Sequence, residues 1–360
     1  MHKIPLAALA VLASSAAAPA PAQNVTLYGL VDAGVVSTRT QGAGTVAGVD
    51  SGITGGSRWG VRGSEDLGGG LKASFRLESG FESDTGASGQ GGRLFGRSSW
   101  VGLSGGFGEM RLGRQESLGY AWFAEVGNPF GNAYLQARTA SLFGTAAISE
   151  RVDNSAFYFT PRVAGFQAAV GYSANASGAE GQLSTAAGTV GRRLDSRVAM
   201  AGARYAGGPV SVALVHEQRR ATDALRNDAA AGNSDTLKNT LLGAAYDFGA
   251  FTLHAGYGVL QGRDFLAGAR DEKTALLGAS VPLGAHKLMA SYQQAQGRNA
   301  NLGRTDDDIR GVAVSYEYSF SKRTRLVALA TQFNHVAART GSITGTADRR
   351  ELALGLRHAF

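Results

Sequence analysis

The segment RELALGLRHAF, residues 350–360, ends the chain and decides its fold. From residue 352 onward, its even positions form an apolar face that His358 alone interrupts: Leu352, Leu354, Leu356 and Phe360. Alternation with a period of two predicts a β-strand with one apolar side. An exposed apolar strand edge would recruit other chains, so we expect this strand to pair within its own sheet and close a barrel. The apolar outer face indicates that the barrel lies in lipid.

The N-terminal segment indicates how the chain would reach a membrane. Lys3 precedes an apolar run over residues 4–18, and Ala-Pro-Ala follows at residues 20–22. A basic start, an apolar middle and a small-residue cleavage site are the pattern of a secretory signal peptide. The run is shorter than the roughly 20 residues of a membrane-spanning helix. We therefore predict that residues 1–22 are removed and that residues 23–360 form a single barrel domain.

Composition excludes several other classes of protein. The chain has 52 glycines, 7 prolines and no cysteine, so it can form neither a disulfide framework nor a thiolate metal site. The net charge of +7 comes from arginines scattered along the chain, which argues against a nucleic-acid partner. The best candidate for a membrane-spanning helix in the mature chain, residues 241–260, contains Asp247, His254 and four glycines, and is better explained as a hairpin. Without apolar helices, a chain crosses a bilayer only as a closed barrel.

Sixteen segments with a period of two follow one another along the chain. We predict strands at 24–37, 57–66, 71–83, 93–104, 109–117, 152–161, 166–174, 195–205, 209–220, 236–247, 251–261, 272–281, 286–297, 308–319, 324–334 and 348–360. Short turns alternate with longer polar loops such as 38–56, 175–194 and 335–347. This alternation is typical of an outer-membrane barrel. The predicted fold class is all-β, a 16-stranded antiparallel transmembrane β-barrel.

The charged residues of the second to fourth predicted strands indicate which face lines the lumen. Trp59 and Phe75 mark the lipid-facing side of strands two and three. A charge that faces lipid near the midplane costs roughly 2 to 4 kcal/mol, so the charged residues must face inward. Those residues are Arg58, Arg62, Lys72, Arg76 and Glu78. In strand four, Arg97 is assigned to the face opposite Leu94 and Trp100, which also makes it a lumen candidate.

Several motifs resemble one known family, the Gram-negative general porins, and most closely the porins of β-proteobacteria. They extend from the first strand to the last: VTLYGLVDAGV (25–35), GSRWGVRGSEDLGGGLKASFRLESGF (56–81), RLFGRSSWVGLSGGFGEMRLGRQ (93–115), NSAFYFTP (154–161), SKRT (321–324) and GLRHAF (355–360). The resemblance implies a homotrimer of sixteen-stranded barrels in the Gram-negative outer membrane, with a long third loop folded into the lumen. It implies that Phe360 belongs to the signal read by the barrel assembly machinery. The other implied partners are outer-membrane lipid, lipopolysaccharide, small anions and hydrophilic solutes.

The longest connection in the chain, about 118–151, is unusually apolar and aromatic for a surface loop. A loop of this length without its own domain is usually functional or disordered, and its apolar content argues against disorder. It needs a surface to pack against, and the inner wall of the barrel is the one available. We therefore predict that this loop narrows the pore.

The resemblance also implies a cluster of arginines on the pore wall that faces this loop. By motif, Arg58 and Arg97 match two cluster positions and Arg138 is assigned to a third, while Arg76 is a further candidate. Arg62 and Arg114 are assigned to loop anchoring or pore lining. On the loop, the predicted constriction residues are Glu125, Asn128, Pro129 and Phe130. The chain departs from the family pattern here, because no glutamate adjoins the proline.

The balance of charges predicts the ion preference of the pore. Glu125 is the only carboxylate between Leu118 and Ser149. Several guanidiniums that face one carboxylate would concentrate anions, so we expect an anion-selective channel for passive diffusion. Selectivity would be weak if the arginines pair with carboxylates of the wall, namely Glu78, Glu82 or Asp32. The arginines could also be structural and hold carbonyl groups of the loop.

Two functions from other classes stay open as alternatives. An outer-membrane barrel hydrolase would need catalytic groups that meet only in space, which sequence spacing alone does not exclude. A non-conducting, adhesin-type barrel would have loops that dominate its mass, whereas most residues here fall in strands and turns. No histidine has the spacing of a metal ligand or catalyst, and the sequence indicates no cofactor and no metal.

Overall fold

The structure is a computed structural model that describes residues 24–139, 143, 150–178, 195–221, 236–264, 268–299, 309–337 and 346–360. These residues form one antiparallel sheet of seventeen strands. The strands are β1 (Asn24–Thr40), β2 (Gly44–Ser51), β3 (Arg58–Gly68), β4 (Leu71–Gly80), β5 (Ser98–Gly105), β6 (Gly108–Glu116), β7 (Arg151–Phe159), β8 (Phe166–Ser173), β9 (Ser196–Gly207), β10 (Val210–Ala221), β11 (Thr236–Asp247), β12 (Thr252–Asp264), β13 (Gly268–Leu283), β14 (His286–Asn299), β15 (Ile309–Ser319), β16 (Thr324–Ala337) and β17 (Thr346–Ala359). Sixteen of them close into a barrel, and β2 lies outside the ring.

The ring closes where the two ends of the described chain meet. β17 runs antiparallel to β1, and the first residues of β1 pair with β3 on the other side. Beyond the last strand, the backbones of Gly29 and Phe360 exchange two hydrogen bonds, of 3.0 and 3.1 Å. A Cβ atom on Gly29 would lie 2.1 Å from the Phe360 ring, so the absence of a side chain lets the ring lie across the seam. The prediction that the final strand pairs with the first is confirmed.

Side chains alternate between lipid and lumen, as the sequence predicts. On β17, Leu352, Leu354 and Leu356 are at least half exposed on the outer face, whereas Glu351 is buried on the inner face. On β3 and β4, the charged residues Arg58, Arg62, Arg76 and Glu78 face inward. The outer apolar side chains are exposed because lipid, and not protein, would cover them.

Three details of the predicted strands are wrong. The segment predicted as the polar loop 38–56 contains β2, which pairs with the second half of β1 as a hairpin. The strand predicted from residue 93 begins at Ser98, so Arg97 precedes it. Trp100 points into the lumen, where the Arg111 guanidinium lies 4.5 Å from its ring centroid, and Val101 is the outward neighbour.

Short turns join the strands at one end of the barrel, which we call the short-turn rim, and longer connections join them at the other, the long-loop rim. Aromatic pairs mark the short-turn rim, for example Phe166 with Tyr205 and Tyr246 with Phe248. The predicted loops 175–194 and 335–347 fall largely outside the described residues, as does the predicted signal segment. Within the described ranges, no helix is long and apolar enough to span a membrane.

The connection between β6 and β7 folds into the barrel, and we call it the constriction loop (117–150). It contains a π-helical turn (Gly119–Phe123), an α-helical turn (Ala124–Gly127) and a 3₁₀ turn (Leu135–Ala137). One further helical turn, Gly89–Gly92, lies in the β4–β5 connection. The predicted boundary at Arg151 is one residue late, because that residue begins β7. The prediction of an infolded third loop is confirmed.

Candidate pore constriction

Aromatic side chains dock the constriction loop on the inner wall. Phe123 is fully buried and packs on Phe143 with ring centroids 4.8 Å apart, in a cluster that includes Leu241 of β11. Phe130 and Tyr134 form a second cluster against β14 to β17. Burial of one large side chain stabilises by roughly 1.5 to 3 kcal/mol, so several together hold the loop firmly.

Glycines of the wall allow the loop to lie directly against the strands. A Cβ atom at Gly256 would lie 3.1 Å from both the Gly127 carbonyl oxygen and the Phe123 ring. At Gly278, a Cβ atom would lie 2.7 Å from the Pro129 ring. At these two positions, glycines inside the strands therefore leave the space that the constriction loop occupies.

Carboxylates of the wall accept hydrogen bonds from polar groups of the loop and fix them in place. Glu217 is fully buried and accepts a hydrogen bond of 2.6 Å from the Gly119 backbone amide. Tyr134 donates its hydroxyl hydrogen to Glu317, which also pairs with Arg325 at 3.1 Å. Burial, followed by the charge of Glu317, raises the pKa of Tyr134, so the phenol stays protonated as a donor.

Between the docked loop and the opposite wall lies a cavity of about 530 Å³ with a strongly charged lining. Six arginines and four glutamates border it among the described residues: Arg58, Arg76, Arg97, Arg138, Arg151, Arg357, Glu78, Glu116, Glu125 and Glu150. The structure thus brings together the four predicted arginines of the basic wall. It also corrects the predicted charge balance, because three glutamates besides Glu125 line the passage.

Glu78 pairs with two of the predicted arginines. Its Oε2 lies 2.5 Å from Arg76 Nη2, and its Oε1 lies 2.7 Å from Arg97 Nε. Tyr28 donates a third hydrogen bond, of 2.8 Å, to the same carboxylate. The Glu78 side chain is 2% exposed, so both oxygens are held by these partners and not by water. This is the pairing with wall carboxylates that the sequence left open.

A second set of ion pairs lies where the constriction loop rejoins the barrel. Arg151 lies 3.3 Å from Glu150 and 3.5 Å from Glu116, and its guanidinium is 5.2 Å from the Tyr120 ring centroid. Arg138 lies 3.6 Å from Glu150. These arginines share their carboxylates, so the set is close to neutral. Burial raises the pKa of Tyr120, which stays a neutral neighbour.

Two arginines of the lining have no carboxylate partner within the part of the chain that the structure describes, Arg58 on β3 and Arg357 on β17. Arg58 makes only a long contact of 3.5 Å with the Gly56 carbonyl oxygen. Arg357 lies opposite Asp32 in the β1–β17 register, but the Asp32 carboxylate accepts hydrogen bonds from Thr54 instead. The two unpaired guanidiniums supply the positive excess of the cavity.

The four predicted loop residues divide into one that faces the passage and three that build the loop. The Glu125 side chain is 69% exposed and lies 3.5 Å from Arg204 Nη1. Asn128 is buried and donates hydrogen bonds to the Ala137 carbonyl oxygen and the Thr139 hydroxyl. Pro129 and Phe130 pack against the wall, as described above, and contact no ion pair of the cavity.

Arg62 and Arg114 lie away from the lining. Arg62 is on the lumen face of β3, nearer the short-turn rim, with its guanidinium 5.2 Å from the Tyr28 ring centroid. Arg114 donates to the Gly96 carbonyl oxygen at 2.8 Å and pairs with Asp153 at 2.5 Å. Its bond to the β4–β5 connection is structural and anchors a segment other than the constriction loop.

Four charged residues of the lining were not anticipated from the sequence: Arg151, Arg357, Glu116 and Glu150. Arg357 carries the signal that could have identified it, because it lies on the non-lipid face of the closing strand. The other three lie at the two ends of the constriction loop, and their proximity depends on how the loop folds back. No group of three or more potential metal ligands occurs among the residues described.

The sequence matches known outer-membrane proteins over most of its length. A family model described as Gram-negative porin matches residues 6–337. An outer membrane porin of Bordetella pertussis is 38% identical over 269 residues, which cover 70% of this chain and 68% of that protein. Outer membrane porin protein 32 of Delftia acidovorans is 38% identical over 269 residues, which cover 72% and 69%.

The fold matches solved channel structures. The anion-selective porin from Comamonas acidovorans has a TM-score of 0.70 and 26% identity, covering 94% of this chain and 100% of that one. The trimer form of OmpT from Vibrio cholerae has a TM-score of 0.67 and 16% identity, with coverage of 94% and 100%. The second likeness shows the fold alone.

Proposed function

The chain belongs to the Gram-negative porins, outer-membrane channels and not enzymes, and from this premise we propose that its pore prefers anions and that Arg58 and Arg357 supply the preference. The arrangement of charges in the cavity carries the proposal. Six arginines face four glutamates there, which leaves a net excess of two positive charges. Guanidiniums stay protonated at any relevant pH, so this excess is permanent.

Pairing decides which arginines act on a passing ion. Arg76 and Arg97 share Glu78, and Arg138 and Arg151 share carboxylates at the loop ends, so the fields of these groups are largely compensated at short range. Arg58 and Arg357 are not compensated by any described carboxylate. Fixed positive charge in a narrow passage with low-dielectric walls raises the local concentration of anions.

The relative from Comamonas acidovorans supports this proposal, because its structure is described as that of an anion-selective porin. At 26% identity over nearly the whole chain, the likeness extends beyond the bare fold. The proposed cargo is a class, small hydrophilic anions, because the described residues of the lining are mostly charged and polar.

The experiment that tests the proposal is the zero-current potential of the wild-type channel in a planar bilayer under a KCl gradient. A potential of the sign set by chloride is expected. A potential of the opposite sign, or one near zero, would contradict the proposed anion preference while leaving the channel itself established. Open channels in the absence of a gradient test conduction separately.

Three further properties of the chain are part of this proposal. We infer that residues 1–22 are a signal peptide, that Phe360 serves as part of the assembly signal, and that the barrel forms homotrimers. The trimer is supported by the similarity to solved outer-membrane barrels, one of which, OmpT of Vibrio cholerae, is described in a trimer form. A mature N-terminus at Gln23 and the mass of the detergent-solubilised assembly test the first and third, and in-cell assembly of a chain lacking Phe360 tests the second.

A further inference from the structure

The register of the closing strands places a carboxylate opposite one of the two unpaired arginines. Asp32 on β1 and Arg357 on β17 are direct partners in the antiparallel pairing. Opposite charges at such positions have Cβ atoms about 5 Å apart and attract each other. No ion pair joins the two within the part of the chain that the structure describes, although each lies within electrostatic reach of the other. Another contact of Asp32 must therefore prevent the pair.

The connection between β2 and β3, residues 52–57, folds into the lumen and occupies the Asp32 carboxylate; we call it the hook segment. The Thr54 backbone amide donates to Asp32 Oδ2 at 3.0 Å, and the Thr54 hydroxyl donates to the same oxygen. The backbone of Asp32 is held as well, because its carbonyl oxygen accepts hydrogen bonds from the Gly52 amide at 2.9 Å and the Ser57 hydroxyl at 3.1 Å. Asp32 is 0% exposed, so its carboxylate does not reach the passage.

Apolar packing fixes the hook segment on the inside of the barrel. Ile53 is fully buried and belongs to the second aromatic cluster, which also holds the constriction loop. Glycines leave the space for it, because a Cβ atom at Gly34 or at Gly355 would lie 2.9 Å from Ile53 Cγ1. The hook segment contains no charged residue. It can therefore hold a neighbouring carboxylate by hydrogen bonds without adding a charge to the passage.

A second carboxylate within electrostatic reach of Arg357, that of Glu317, is also occupied, but by different partners. Glu317 accepts a hydrogen bond from the Tyr134 hydroxyl and pairs with Arg325 at 3.1 Å. Loss of the Tyr134 hydroxyl would therefore leave Glu317 paired with a cation. Asp32 has no such second partner, so loss of the Thr54 hydroxyl would leave its carboxylate with backbone donors only.

We propose that Thr54 is a positioning residue for ion selection, which keeps the Arg357 guanidinium unpaired by holding the Asp32 carboxylate. This role rests on the proposed function, in which Arg357 supplies part of the anion preference. Arg357 borders the passage, whereas Asp32 is buried behind the hook segment. If the two groups paired, the positive field that a passing ion meets would be compensated at short range, and the anion preference would fall. The preference is thus maintained by a neutral hydroxyl.

The test is the zero-current potential of the folded full-length mature channel in a planar bilayer under a KCl gradient. Thr54→Val keeps the branched shape of the side chain but removes the hydroxyl, and the chloride-to-potassium permeability ratio should fall about twofold. Thr54→Ser keeps a hydroxyl donor and should keep the wild-type ratio. In an Asp32→Asn background, Thr54→Val should have no effect, because no carboxylate remains to pair with Arg357. Single-channel conductance should stay at the wild-type value in each variant.

Two single variants serve as controls. Tyr134→Phe removes the hydroxyl from Glu317, which keeps its pair with Arg325, so the main conductance state should keep the wild-type ratio. Asp32→Asn, with Thr54 in place, should change the ratio less than about twofold, because the carboxylate that it replaces is already held away from the Arg357 guanidinium. Heat-modifiable migration in gels confirms that each variant is folded.

Several results would overturn this role of Thr54. A wild-type ratio in Thr54→Val would show that the hydroxyl does not affect ion selection. An equal loss in the Asp32→Asn background, or a changed conductance, would show that the hydroxyl acts through the shape of the hook segment. A rise of more than about twofold in Asp32→Asn alone would mean that Asp32 already compensates Arg357.

Arg357→Gln distinguishes a failure of this role from a failure of the proposed function. A loss of anion preference in Arg357→Gln, with none in Thr54→Val, would overturn the role of Thr54 and leave the proposed function intact. An unchanged preference in Arg357→Gln would overturn the proposed function at Arg357, and the role of Thr54 with it. The expected result is a loss in both variants, larger in Arg357→Gln.

Discussion

The inner wall of the barrel has two halves that differ in their chemistry and in their role. The half formed by β10 to β16 holds the constriction loop through buried apolar clusters, close-packed glycines such as Gly256, and hydrogen bonds accepted by Glu217 and Glu317. The half formed by β3 to β5, together with β17, is charged and faces the open cavity with Arg58 and Arg357. We call them the docking half and the charged half. The first sets the width of the passage and the second its field, so the two properties should be separable by mutation.

The largest effect is expected from the docking half. Replacing Phe123 and Phe130 by alanine removes one buried anchor from each aromatic cluster, at roughly 3 to 5 kcal/mol for each substitution. The constriction loop should detach from the wall, and single-channel conductance should rise while the ring of strands stays intact. Planar-bilayer recording measures this, with the rim variant Phe320→Ala as control because that ring is 58% exposed. Unchanged conductance in the double variant would show that the loop does not limit the passage.

A smaller effect, on selectivity and not on width, is expected from the buried carboxylate of the charged half. Glu78→Gln keeps the shape of the side chain but releases Arg76 and Arg97 from their shared negative partner. The chloride-to-potassium permeability ratio should rise by about two- to fivefold. The zero-current potential under a KCl gradient measures it. A shift towards potassium would mean that the two guanidiniums had moved out of the passage.

A single hydrogen bond of the docking half should matter less and should respond to pH. Tyr134→Phe removes the donor to Glu317 and should weaken docking by about 1 kcal/mol, seen as brief openings to a larger conductance. Because the pKa of Tyr134 is raised above its ordinary value of 10.0, its stabilisation is complete below pH 10 and is lost as the pH rises through the raised value. Wild-type channels should therefore loosen only in strong alkali. The variant should lack this loosening at alkaline pH. An identical change in wild type and variant would show that a group other than Tyr134 causes it.

The smallest effect is expected at the exposed carboxylate of the loop. Glu125→Gln removes a charge that is 69% exposed and weakly paired with Arg204. Solvent screening limits the influence of such a group, so the permeability ratio should rise less than about twofold. The same bilayer measurement checks it. A change larger than that of Glu78→Gln would contradict the assignment of ion selectivity to the charged half. It would assign the selectivity to the constriction loop instead.

Strand alternation explains how much of the fold could be predicted. A period of two with a lipid-facing apolar side is visible in each of the sixteen ring strands, and closure follows from the last of them. β2 escaped prediction because both its faces are exposed, so its residues, Gly44–Ser51, show no contrast between the two sides. Trp100 was assigned to the wrong face because a large aromatic residue near a rim can face lipid or stack on a lumenal arginine.

The composition of the site was predictable, but its pairing was not. Arg58, Arg76 and Arg97 could be assigned to the passage from their strands and motifs. Which of them is neutralised depends on side-chain reach across β4 and β5, where Glu78 meets two arginines. Arg357 becomes a neighbour of β3 only when the barrel closes. Strands near opposite ends of the chain form this contact, so it is not visible from sequence spacing alone.

The measurement that tests the separation of roles most directly is the zero-current potential of the double variant R58Q/R357Q, recorded with R62Q as a matched control. Arg62 lies on the same strand and face as Arg58 but outside the cavity lining. The account predicts that the double variant loses most of the anion preference with its conductance little changed, and that R62Q keeps the preference. Retention of the wild-type potential by the double variant, or an equal loss in R62Q, would contradict it.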